Sequence, residues 1–90
     1  MILSIYSVRD ELVGFMTPTL EQNDATAMRN FLMACDSAKR DSSLMAFVPS
    51  HYTLFKIGSF DSSTGQIFPV TPIENVCSGA SNFKEVFNVK

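Results

Sequence analysis

Residues 61–65 read Asp61-Ser62-Ser63-Thr64-Gly65, five consecutive turn formers lying between two extended runs. Before them stands Tyr52-Thr53-Leu54-Phe55-Lys56-Ile57-Gly58-Ser59-Phe60, rich in β-branched and aromatic residues. After them comes Gln66-Ile67-Phe68-Pro69-Val70. A connection this short can join only antiparallel neighbours, because a parallel crossover needs a dozen residues or more. The chain must therefore contain a β-hairpin, and whatever else it forms must pack on an antiparallel sheet. Within the first run, period-two alternation puts Phe55 and Ile57 on one face and Tyr52, Leu54 and Lys56 on the other. Phe55 is expected in the core, Tyr52 half-buried, and Gly58 at a bulge.

The rest of the chain supplies layers for that sheet. Ile2-Leu3-Ser4-Ile5-Tyr6-Ser7-Val8 is apolar on both faces, which predicts a central strand. Arg9-Asp10-Glu11 reads as a polar turn, and Leu12-Val13-Gly14-Phe15-Met16 as a short returning strand stopped by Pro18. Asn23 or Asp24 can cap a helix whose apolar positions, Ala27, Met28, Phe31, Leu32 and Cys35, recur at spacings of three and four. Arg29, Asn30 and Asp36 then face outward. Burying Phe31 or Leu32 would each contribute about 1.5–3 kcal/mol, so the stripe is a packing surface. Leu44-Met45-Ala46-Phe47-Val48 is a turn of helix or an edge segment. Pro69 and Pro72 interrupt regular pairing, and Ser78-Gly79-Ala80-Ser81-Asn82 reads as a connector. The expected fold class is α+β, with a mainly antiparallel sheet of about four strands and one principal helix packed on one face. Residues 1–77 make a single domain, and residues 78–90 a flexible or docking C-terminal arm.

Composition removes several alternatives. A chain of 90 residues that is 46% hydrophobic and only 18% charged is not a disordered tail, a collagen or a charge-rich coiled coil. The formal net charge of −2 provides no overall basic field, so binding to nucleic acid or an anionic membrane must be local. No basic leader and no run of some 18 apolar residues is present, and the expectation is an intracellular protein without a membrane partner. Cys35 and Cys77 stand far apart without a CxxC pattern, as two free thiols in a reducing compartment would, the alternative being a disulfide or an intersubunit role.

The same residues argue against catalysis. His51 is the only histidine, and no Ser/His/Asp or Cys/His grouping follows from spacing. The 61–65 turn lacks the repeated carboxylates of a calcium loop, and the four glycines are too dispersed for a phosphate loop. The expectation is a non-enzymatic protein with neither metal nor cofactor. Tyrosines on predicted strands and scattered Lys and Arg residues supply the two ingredients of a single-strand binding surface, faces for stacking and charges for phosphates. Half-buried tyrosines and lone solvated charges are the plainer reading of the same residues.

Three stretches bear on that choice: Ser4-Ile5-Tyr6-Ser7-Val8-Arg9-Asp10, Asn23-Asp24-Ala25-Thr26-Ala27-Met28-Arg29-Asn30-Phe31, and the run from Leu54 through Phe60, Asp61 and Gly65 to Ile67. In this order the chain resembles the small nonstructural protein of microviruses, the gokushovirus-type single-stranded DNA phages. Arg29 matches the family's helix Arg, Tyr6 its N-terminal Tyr, and Phe55, Gly58, Asp61 and Gly65 its hairpin. Ser7 stands where the family pattern usually has Asp. The resemblance implies a nonstructural phage protein of the infected bacterial cytoplasm, acting in genome replication or single-strand synthesis by binding single-stranded DNA. On that reading Arg9, Arg29, Lys39, Arg40 and Lys56 meet phosphates and Tyr6 or Tyr52 stacks on bases, with an oligomer helping to line up sparse charges. The alternative is an interaction protein that docks a viral or host replication or packaging partner through Leu44, Phe47, Phe83 and Phe87.

Overall fold

The computed structural model describes residues 1–36, 41 and 43–81. In chain order the elements are β1 (Ile2–Asp10), β2 (Gly14–Phe15), β3 (Thr19–Glu21), α1 (Asp24–Ala34), α2 (Leu44–Phe47), a 3-10 turn (Pro49–His51), β4 (Tyr52–Asp61) and β5 (Gln66–Ser78). The sheet runs β2-β1-β4-β5, and β3 also pairs with β1. Each of these pairings is antiparallel. The fold is α+β, with α1 as the principal helix, and β1 takes the central position expected of it.

The local signals act where the sequence places them. Asn23 is extended and its side chain accepts from the Thr26 N–H at 2.8 Å, capping α1, while Asp24 occupies the positive first turn. Ala27, Phe31, Leu32 and Cys35 turn inward to meet Tyr6, Tyr52 and Leu54. In the hairpin the Gly65 N–H donates to the Asp61 carbonyl at 2.7 Å, and Ser63 N–H to the Asp61 side chain at 2.9 Å. Gly65 adopts φ +78°, a conformation that costs a side-chain-bearing residue energy. The expected bulge is present, since pairing shifts register between Lys56 and Gly58. Across the prolines, the partner of β4 jumps from Pro69 to Glu74, and the Thr71-Pro72 peptide is cis.

Three expectations need correction. Arg9 and Asp10 do not turn: they stay in β1, paired on one side with Thr53 and Tyr52 and on the other with Phe15 and Gly14. A ladder on both sides outweighs the local turn preference, and the turn moves to residues 11–13. The core lies on the opposite face of β4 from the one expected. Tyr52 and Leu54 are buried under α1, and Phe55 is half-buried on the far side. The connector expected from Ser78 onward is partly built into the sheet, because Ser78 pairs with Thr53 and the Gly79 N–H donates to the Tyr52 carbonyl at 2.8 Å. Of the remaining choices, Leu44–Phe47 is a turn of helix capped by the Ser43 side chain. Lys39, Arg40, Phe83 and Phe87 lie outside the described residues.

Candidate functional site

Both tyrosines are structural. Tyr6 has no exposed surface and Tyr52 only 3%, so neither ring can stack on a base. The reason is their register: β1 alternates faces, and Tyr6, Val8 and Asp10 point toward α1. The Tyr6 hydroxyl donates to Asp24 Oδ1 at the start of α1, and Lys56 Nζ lies 3.7 Å from the same oxygen. Lys56 is the cross-strand partner of Tyr6, so one carboxylate ties the helix start to two adjacent strands and occupies the lysine proposed for phosphate. Burial, with Asp24 beside it, pushes the Tyr6 phenol up to about 12. Burial raises Tyr52 as well, and the Asp10 carboxylate accepting its hydrogen bond adds to the rise.

The other face of the sheet carries the opposite arrangement. Residues paired across antiparallel strands share a face. Arg9 pairs with Phe15, Ser7 with Phe55, Leu3 with Phe60, and Ile5 with Leu20. These side chains project away from α1. Phe15 is 51% exposed and meets Phe55 edge to face, with ring centroids 5.6 Å apart. Beneath this pair Ser7 is buried and satisfied, its hydroxyl donating to the Met16 carbonyl at 2.6 Å. A solvated antiparallel face is ordinarily polar, but this one is apolar and aromatic, with exposed Arg9 at its end. The remaining candidates are dispersed. Arg29 is exposed on the outer side of α1, away from Arg9, and Leu44 and Phe47 are exposed on α2.

Sequence reasoning missed Phe15 as an exposed aromatic and Phe55 as its half-buried partner on the open face. The available signal was the strict alternation of Leu3, Ile5, Ser7 and Arg9 against Ser4, Tyr6, Val8 and Asp10. That alternation separates the two faces of β1 but does not say which one receives the helix.

A family model described as Phage ORF5 protein matches residues 3–82, which takes in nearly all of the sheet and both helices. The chain belongs to that phage protein family. No curated protein and no solved structure matches it. Among the described residues of this ORF5-family chain, no helix is long and apolar enough to cross a membrane.

In the ORF5-family chain Cys35 and Cys77 are free thiols, each pushed up to about 11 by burial, with Cys77 adding to the effect at Cys35. Their ordinary value is 9.0, and that of tyrosine is 10.0. The unfolded chain therefore sheds these protons at lower pH than the folded one. Stability is complete below about pH 9 and falls as pH rises through 11 and 12. The urea midpoint is expected to drop between pH 8 and pH 10.5, and a midpoint that holds constant would mean that these groups are solvated in the folded protein.

Proposed function

We propose that this ORF5-family chain is a nonstructural phage protein that works without catalysis, binding single-stranded DNA during viral genome replication or single-strand synthesis in the cytoplasm of the infected bacterium. One observation carries the reading: the sheet face opposite α1 presents the exposed ring of Phe15 packed against the half-buried ring of Phe55, with Arg9 as the cross-strand neighbour of Phe15. Single strands are held by aromatic faces, at about 1–3 kcal/mol per stacked base, together with cations that meet the backbone. Phe15 and Phe55 take the stacking role expected of Tyr6 and Tyr52, and Arg9 takes a phosphate. Lys39 and Arg40 remain phosphate candidates. Arg29 belongs to another surface, and Lys56 is engaged by Asp24.

Fluorescence anisotropy of a labelled single strand and a matched duplex across a salt series tests this. The single strand is expected to bind more tightly, with a log–log salt slope of about −1 to −2 for two to three neutralised phosphates. Phe15→Leu, which keeps the apolar area but loses the ring, is expected to weaken binding about tenfold. Absence of binding at low salt rules the reading out. A second reading, docking of a viral or host replication or packaging protein, is favoured by the exposure of Leu44 and Phe47 on α2.

A further inference from the structure

Turns ordinarily carry polar residues at their tips, yet the turn between β1 and β2 carries Leu12 and Val13, 82% and 86% exposed. This tip is held in place. The Leu12 N–H donates to Asp10 Oδ1 at 2.9 Å, Val13 N–H to the Asp10 carbonyl at 3.2 Å, and Glu11 N–H to the His51 carbonyl at 3.0 Å. Beside it opens a groove of about 740 Å³. Val8, Val13 and Met16 form the sheet side, Leu44 and Met45 of α2 the other, and Tyr52 contributes beside Asp10. The Asp10 carboxylate already accepts from the Tyr52 hydroxyl and the Leu12 N–H, so covering the groove leaves that charge hydrogen-bonded.

We propose that this surface is a two-fold interface between copies of the chain, with the Leu12-Val13 tip of each protomer entering the groove of the other. A projecting apolar tip and an apolar groove on one patch are what a self-complementary contact requires, since each copy supplies what the other receives. The area suffices. Leu12, Val13, Met16, Leu44 and Phe47, all exposed, offer roughly 600 Å² per protomer, so a pair would bury roughly 1,200 Å², the lower bound for a stable specific interface. The acidic groups at the tip, Asp10 and Glu11, give a nucleic-acid phosphate nothing to pair with, and His51 lies 3.8 Å from Glu11. Arg9 and Phe55 do not line the groove, whereas Phe15 does, so the interface reaches the edge of the aromatic pair. The test of the dimer uses Val13 and Leu44 and no residue of the proposed binding face, so the dimer stands or falls independently of what that face binds.

Sedimentation velocity of the full chain from about 1 to about 200 µM tests the interface. Wild type is expected to dimerise in this range, and Val13→Lys and Leu44→Asp each to weaken the dimer at least tenfold. Both positions are exposed, so circular dichroism, and thermal melts at concentrations where wild type is monomeric, are expected to match wild type. An equimolar mixture of the two variants is expected to dimerise again, because one contact becomes Lys with Asp and the other stays Val13 with Leu44. A wild type that stays monomeric, including one that captures a different protein, overturns the proposal. So does a dimer that neither variant disturbs, or a mixture that fails to re-form it.

Discussion

Tyr6→Ala is expected to destabilise the domain by about 3–5 kcal/mol, a large part of the roughly 5–13 kcal/mol that a 90-residue domain has in total. Tyr6 is the largest fully buried side chain described. It sits on the central strand against Ala27, Phe31 and Leu32 of α1, and its hydroxyl holds Asp24 at the helix start. Alanine leaves a ring-sized cavity between the two layers and removes the link between β1 and α1. Tyr6→Phe separates the two contributions. It keeps the ring and removes only the hydrogen bond to Asp24, whose half-exposed carboxylate can turn to water, so about 1 kcal/mol is expected. Urea midpoints read both variants. An alanine variant within about 1 kcal/mol of wild type would mean that the ring is not the centre of the core.

Gly58→Val is expected to cost about 2–3 kcal/mol, by overpacking instead of by a cavity. A Cβ at Gly58 would stand 2.8 Å from the Phe68 carbonyl oxygen and 3.5 Å from the Pro69 Cα. Both are backbone atoms of β5, so no side-chain rotation relieves the clash and β4 must move away from β5 where the register already shifts. Gly65 makes the contrast, because its constraint is φ and nothing lies within 4 Å of an added Cβ. Gly65→Asn is therefore expected to cost only a few tenths of a kcal/mol, since Asn tolerates the left-handed region. If the two variants unfold at the same urea concentration, close approach is not what requires glycine at position 58.

The elements that sequence reasoning located correctly are those whose determinants lie close together along the chain. The Asn23 cap and the three-and-four spacing of Ala27, Phe31 and Leu32 define α1 within a dozen residues. Asp61 to Gly65 define the hairpin within five. Gly58 and the two prolines announce their irregularities by their own covalent structure. The candidate site was less legible. Arg9 was identified from its charge, but the aromatic partners chosen for it were the two tyrosines, because a phenol reads as a surface group. In the folded chain each hydroxyl has an aspartate to accept its hydrogen bond, which makes deep burial possible, and Phe15, with the half-buried Phe55 beside it, is left on the open face.

What the sequence by itself determined about this ORF5-family chain is the inventory of parts: a central apolar strand, a capped amphipathic helix, and a hairpin that commits the sheet to antiparallel pairing. Only the tertiary structure decided which sheet face the helix covers, and with it which aromatics are core and which are surface. The physical reason is that β1 and β4 are apolar on both faces, so local pattern leaves the two choices nearly equal. The choice falls to contacts distant in sequence, Tyr6 and Lys56 with Asp24, and Tyr52 and Leu54 with Phe31 and Leu32, which exist only once the layers have met.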